Sequence, residues 1–591
     1  MHRTLRVLWI LCIALLLSSC EFLTALLSGG TAGNTLLYVS TTGSDSNNGL
    51  AAATPLLSIA TAVEKSADAG VEIRVASGTY TRGAGLPAEA ANAIKISGKT
   101  NYSLTGGWDA SFSAQSGTSV LQGPTAEEQA AADSTIYCRL VYVTGCTGFK
   151  MSGFTILRGT ALGDGAGIYL DADGSSVENC IVGDCTANDP LLDSSNGGGI
   201  YVMGSGNVLE ATVTGCVATN GGGIYLTGSE HSVKGTVGGT ADGEGNRANK
   251  GGGIHVDAYG TGITVSCCLT GNKAVYGGGA YVLGSACTIS GETSGNSATS
   301  YQSIGDFLGM VSGGGIYLAG TDNTLSAKVH GNTALYYSAA LLSISARSKG
   351  GGVSVYGDGN TVTGDVYGNT ATLTDDSMFG TGFSILGGGV YVEGKNVTVS
   401  GAVLDNVISV TANIASSNGA GISVNDSVGV KIASTVTGNT VCYKGSYTYA
   451  SHGQGIYVYG SQDVSLSGAT IGENGFSVSG SASVSGAAQQ IYLISPTDDL
   501  VTGLSIESCT VSGSTVNADP GYAIFEGTQT TYSDVTGHTI RNNKFKDLDS
   551  LYCNYGSTAV TLAADAAGLA LLNTAGDPSH GASVAEGNSL E

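Results

Sequence analysis

The residues with obvious chemical capacity are few and scattered along the chain. Adjacent carboxylates occur at Asp375–Asp376 and Asp498–Asp499, and His452 and His580 each sit in a Ser-His-Gly. Paired carboxylates flanking a sugar support glycoside hydrolysis, and clustered carboxylates holding Ca²⁺ beside a Lys or Arg base support polysaccharide elimination. Neither arrangement can be assembled from the repeat positions of these residues, because none shares its position with a second acidic or basic group. The fragment Gly357-Asp358-Gly359-Asn360 is solitary, unlike the arrays of Ca²⁺-binding nonapeptides, and reads as a turn. The residues therefore assign no catalytic group, no metal ligand and no cofactor.

Cysteine chemistry is more informative. Arg3 and Arg6 precede an apolar stretch, Val7 to Leu17, too short to span a bilayer in a mature protein, which is the pattern of an export signal. It ends in Leu17-Ser18-Ser19-Cys20, which resembles the lipobox of bacterial lipoproteins. The resemblance implies that Cys20 becomes the acylated first residue of the mature chain, anchored stably by two or more acyl groups. Of the 13 cysteines, Cys12 would leave with the signal. No pair among the others has Cys-x-x-Cys zinc spacing, which leaves disulfides or buried thiols. No later segment is long and apolar enough to cross a membrane, so the lipid is the one membrane contact expected.

Composition narrows the class. Ninety-four Gly with only 7 Pro and 12% charged residues exclude collagen and argue against an acidic disordered chain. A net charge of -23 excludes nucleic acid as a partner and suits polyvalent cations or neutral glycans.

The elements that position all of this are repeats. A Gly-Gly-Gly-Ile-Tyr-Val-like unit recurs with its third Gly at Gly167, Gly199, Gly223, Gly253, Gly279, Gly315, Gly352, Gly389, Gly421 and Gly455, at spacings of 24 to 37 residues. A Gly-Asn pair usually follows within the unit, at Asn272, Asn296, Asn332, Asn369 and Asn439. Each period holds about three short strands and three turns, with nothing helical to make βαβ crossovers. Such strands can wind as successive rungs paired in parallel at roughly 4.8 Å. Alternation sends Ile and Val inward and Tyr to the other face. The expected fold is all-β, a right-handed parallel β-helix.

The stretch Tyr38-Val39-Ser40-Thr41-Thr42-Gly43-Ser44-Asp45-Ser46-Asn47-Asn48-Gly49, with Thr54-Pro55 and Ser77-Gly78-Thr79-Tyr80 beyond it, resembles the opening of pectate-lyase-like β-helix proteins. That resemblance implies a capping helix at about Ile59 to Ala67. The middle is similar to the passenger repeats of polymorphic outer-membrane proteins, except that Gly-Asn replaces their Phe-x-x-Asn element. The implied organisation is a signal peptide (1–20), a tether (21–34), an N-terminal cap with first rungs (35–120), β-helix repeats (121–558) and a terminal cap or tail (559–591).

Two features fall at fixed places on the rungs. Cys185 and Cys216 occupy the position that later repeats give to Asn, which makes them stacked neighbours. They are either a disulfide or two small ladder residues. Long insertions follow Asn296, Asn332, Asn369 and Asn439, all at one corner, and carry Tyr336, Tyr337, Tyr447, Phe383 and other rings into what read as loops. Beside them runs an outward column of Tyr169, Tyr201, Tyr225, Tyr281, Tyr317, Tyr391 and Tyr457. These rings are candidates to bind a polysaccharide or a surface protein, and packing alone explains them as well. Three functions remain open: binding or adhesion at the cell envelope, carbohydrate-active catalysis, and a purely architectural role.

Overall fold

The structure is a computed structural model that describes residues 35–87, 91–132, 135–188, 194–241, 243–302, 308–338, 345–375, 383–412, 415–445, 448–480, 483–485, 488–495, 504–514, 521–528, 539–555, 560–574 and 584–591. The expected signal peptide (1–20), with Cys20, and the expected tether (21–34) lie outside the described residues. Within them the chain is a parallel β-helix. One register row runs from Ile168 through Ile200, Ile224 and Ile254 to Ile422, Ile456 and Ile491, each residue paired with its equivalent one rung away.

A typical rung contributes three strands, such as Ile254–Val256, Thr264–Val265 and Cys268–Thr270. Alternation turns Ile254, Val256, Val265 and Leu269 inward, where they join one continuous core along the helix. The Gly triplets shape the corner before the first strand. Gly277 has φ of +62°, a conformation costly for residues with a Cβ. A Cβ on Gly279 would stand 2.8 Å from the carbonyl oxygen of Gly315, and 3.1 Å from the Asn296 amide nitrogen. The triplet thus clears the space into which the next rung and the Asn fit.

Both ends are closed. Helix α1 (Ile59–Lys65) is capped by Ser58, whose hydroxyl accepts from the Thr61 N–H, and it buries Ile59, Ala62 and Val63 over the first rungs. At the far end Val560–Ala563 runs antiparallel to Ser550–Tyr555, helix α3 (Ala566–Leu572) follows, and Val584–Glu586 pairs on Thr539–Arg541. A further short helix, α2 (Ala126–Ala131), carries a Thr125–Glu128 capping box. Among the described residues, no helix is long and apolar enough to cross a membrane.

The insertions correct the expectation of aromatic loops. They are strands, and they build a fin of two parallel sheets on one corner of the helix. One sheet stacks Lys273–Ala274, Ser297–Gln302, Thr333–Ser338, Thr370–Asp375, Val407–Thr411, Thr440–Gly445 and Gly475–Gly480. The other stacks Leu308–Ser312, Ser345–Lys349, Phe383–Leu386, Ala415–Asn418, Thr448–His452 and Ser483–Ser485. Period-two alternation explains the difference: Ala334 and Tyr336 turn inward while Thr333, Leu335 and Tyr337 turn outward. Tyr336, Leu373, Val410, Tyr443, Phe383 and Ile385 form a core that is separate from that of the main helix.

A candidate binding surface at the foot of the fin

The corner from which the fin springs is fixed by a buried ladder of amides. Asn246 donates from its side-chain nitrogen to the carbonyl of Val213 (2.9 Å) and to Oδ1 of Asn272 (2.9 Å). The backbone N–H of Asn246 reaches the same Oδ1 at 3.1 Å. This pattern repeats through Asn272, Asn296, Asn332, Asn369, Asn406 and Asn439, and it ends at Asn474, whose amide meets Oε1 of Gln490 at 2.9 Å. The buried amides are satisfied by the rungs on both sides, a carbonyl of the rung before and an Oδ1 of the rung after, so the ladder clamps the exit of every insertion.

Cys185 and Cys216 do continue the ladder downward, as free, buried thiols without a bridge between them. The Cys216 backbone N–H donates to Oδ1 of Asn246 at 2.9 Å. Its thiol points to the Val182 carbonyl at 3.9 Å, the place where later rungs put an amide. Burial pushes the Cys216 thiol well above its ordinary range, so it stays protonated.

The tyrosines anticipated as a column form one. Tyr169 and Tyr201 stack at 4.9 Å, Tyr281 and Tyr317 at 4.7 Å, and Tyr457 and Tyr492 at 5.6 Å. His255 takes the ring position between Tyr225 and Tyr281. At two rungs the strand carries Ser instead. Tyr356 swings in beside Ser354, 4.8 Å from Tyr317 and 5.5 Å from Tyr391, whereas Ser423 bonds Asn425 and the row of rings is interrupted. Most ring faces are covered by the next ring; Tyr201, Tyr281, Tyr391 and Tyr457 are buried. What the stack offers outward is mainly edges and hydroxyls.

Beside Tyr391 lies a polar knot. The buried ammonium of Lys349 donates to the Tyr391 hydroxyl (2.8 Å) and to Glu393 (3.2 Å), and Tyr391 donates to Glu393 at 2.6 Å. Burial lowers the Lys349 amine and raises the Tyr391 phenol, so the phenol remains a neutral donor. The group is a brace between fin and helix, with Lys349 and Tyr391 buried and the Glu393 side chain partly exposed.

The acids and histidines considered for catalysis are not brought together. Asp375 is buried at the end of a fin strand, and Asp376, Asp498, Asp499 and His580 lie outside the described residues. The ring of His452 packs on Tyr492 at 4.5 Å. Asn360 of the Gly-Asp-Gly-Asn fragment belongs to a second amide ladder, bonded by Asn323, and Asp358 accepts from the Lys395 N–H. Among the described residues no three His, Cys, Asp or Glu are grouped to hold a metal ion. Of the fin aromatics, Tyr336 and Tyr443 are internal, Tyr337 faces outward, and Tyr447 lies outside the described residues.

An open recess remains at the first step of the fin. The strand Lys273–Ala274 has two residues, whereas its neighbour Ser297–Gln302 has six, so the longer strand overhangs the shorter. The result is a groove of about 440 Å³ lined by Arg247, Ala248, Lys273, Ala274, Val275, Ser297, Thr299 and Leu335. Arg247 and Lys273 face outward on consecutive rungs. Both follow a ladder residue directly (Asn246, Asn272), and that shared position is the signal that could have found them in the sequence.

No family model matches the chain, and no curated protein does. Among solved structures it is similar to the A-module of the Azotobacter vinelandii mannuronan C-5 epimerase AlgE6. The two share 11% identity, with 82% of this chain and 88% of that one covered, at a TM-score of 0.22.

Proposed function

We propose that this protein is an exported, lipid-anchored component of the bacterial cell envelope that binds an extended glycan, without chemistry, along the flank where the fin joins the helix. The groove under the fin's first overhang carries this reading. It is open, lies on a rigid parallel framework, and mixes hydroxyls (Ser297, Thr299) with apolar ground (Ala274, Val275, Leu335), which suits the alternating polar and apolar surface of a sugar chain. The repeated rungs favour a repetitive ligand over a compact one. The anchor rests on the lipobox-like Leu17-Ser18-Ser19-Cys20.

Affinity electrophoresis of the chain from residue 21 onward through gels containing dissolved polysaccharides tests the binding. Retardation in at least one glycan gel is expected, and free migration in all of them removes the proposal. Incorporation of labelled palmitate that disappears in Cys20→Ala tests the anchor.

A further inference from the structure

We infer that the leading edge of the fin is a self-association surface, on which a second copy of this chain adds its own two leading fin strands about a two-fold axis. Those strands are Ser297–Gln302 in one sheet and Leu308–Ser312 in the other. Both pair along their length with the rung that follows. On the side of the preceding rung, Ser297 and Ala298 meet Lys273 and Ala274, and Ser312 bridges to Tyr276. Among the described residues, Thr299 to Gln302 and Leu308 to Val311 have no strand on that side. The N–H groups of Ser297 and Ser312 point that way, to the carbonyls of Asn272 and Val275. Alternate residues share a direction, so the amides of Tyr301 and Met310 are turned to the open edge.

Such an edge is a template for another strand, and proteins usually blunt it with charges, Pro or a bulge, or cover it. The helix covers its own ends, with α1 at one and a hairpin and α3 at the other. The leading fin strands carry none of these devices. Ser-Ala-Thr-Ser-Tyr-Gln and Leu-Gly-Met-Val-Ser contain no charge and no Pro, and their pairing shows no register shift. Both sheets are open at the same level, so the occupant must bring two strands together, and a lone extended peptide brings one. A second copy brings both: a two-fold axis normal to the fin lays Ser297–Gln302 antiparallel on its equivalent, and Leu308–Ser312 on its own. A copy stacked in the same sense would need the space in which the first helix continues.

Charge favours a meeting at this place. Two chains of net charge -23 repel each other over most of their surface, but no carboxylate lines the groove under the overhang, whereas Arg247 and Lys273 do. Of the six residues in Ser297–Gln302, two are paired on Lys273–Ala274, which leaves an overhang of four. Contacts of that length make a small interface beside the roughly 1,200–2,000 Å² of stable complexes, so the dimer is weak and reversible. It also covers the groove assigned above to a glycan, and the second copy and a glycan chain therefore compete for it.

Sedimentation equilibrium of the chain from residue 21 onward tests the surface, in reductant because Cys268 is an exposed thiol. Wild type is expected to pass from monomer to dimer with a Kd of roughly 10–100 μM. Two variants address the edge. Met310→Pro removes an N–H that faces the open side, where Pro is tolerated, and Thr299→Lys/Met310→Lys sets like charges across the two-fold at half-buried positions. Circular dichroism and melting curves matched to wild type verify the fold, and both variants should dimerise at least tenfold more weakly. A wild-type chain that stays monomeric to several times that concentration overturns the dimer, and leaves the glycan reading standing because the readout contains no glycan. Dimerisation undiminished in both variants overturns the assignment to this edge.

Discussion

The rungs between Ile200 and Tyr281 and those between Ser297 and Ser485 are built on the same helix, yet they solve one corner in opposite ways. In the first set the chain turns at once from the ladder residue to the next Gly triplet, and a rung closes in as few as 24 residues. In the second it leaves the helix after the ladder Asn, makes two fin strands, and returns after 37. The comparison shows that insertion length costs little when both ends are pinned, here by the amide ladder and the Gly turn, because loop closure grows only slowly with length. It also shows that a run of insertions can bury its own core. The fin's apolar residues pack on each other, rung upon rung, and not on the helix.

If the two regions are distinct packing units, a cavity in one should leave the other intact. Tyr336→Ala should destabilise the fin by about 3–5 kcal/mol. Hydrogen exchange should then accelerate in Thr370–Asp375 while Ile254–Val256 stays protected; simultaneous loss in both would make the two cores one cooperative body.

Asn369→Ala attacks what the regions share. It strips the acceptor from the backbone and side-chain nitrogens of Asn332, at on the order of 3 kcal/mol, and should lower the unfolding midpoint with protection lost in fin and helix together.

The smooth region has its own weak point. His255 is buried with its Nδ1 unpartnered, and burial pushes it down to about 3. The unfolded chain takes up a proton near pH 6.5 and the folded one does not, so stability is present above that pH and is lost as pH falls from about 6.5 towards 3. The loss should reach about 3 kcal/mol at pH 4. His255→Tyr, which completes the ring column, should flatten this slope; melting curves at pH 8 and pH 4 that shift equally in both proteins would assign the acid sensitivity elsewhere. Smallest of all, Cys216→Asn should leave stability within about 1 kcal/mol and raise it if the amide reaches Val182, as chemical denaturation would show.

Much of the helix was legible in the sequence because Gly triplets, inward Ile and Val, and Gly-Asn pairs repeat with the rungs. Asn406 and Asn474 escaped notice since Asp405 and Glu473 replace the Gly before them, held at φ of +52° and +54°. His255 and Tyr356 were missed in the ring column, one for its residue type and the other for its offset of two places. The fin was harder to read. Its alternation is present, as in Thr370-Ala-Thr-Leu-Thr, but the strands it pairs with, Thr333–Ser338 and Val407–Thr411, come from neighbouring insertions, which no local pattern reveals. The groove was illegible for a similar reason, being made by unequal lengths of two adjacent strands.

The amide ladder has a polarity along the axis. Every Asn oxygen receives its donors from the rung before it, so the acceptor for each ladder N–H pair comes from the successor rung, while one side-chain N–H of each Asn reaches back to a carbonyl of the predecessor. For a chain synthesised from its N-terminus, the order of synthesis is also the order in which these acceptors arrive. The growing stack always ends in an amide with donors to spare, a primed tip that recruits the following coil. Gln490 extinguishes that tip by turning back on the Asn474 carbonyl, which makes it a stop signal written in hydrogen bonds.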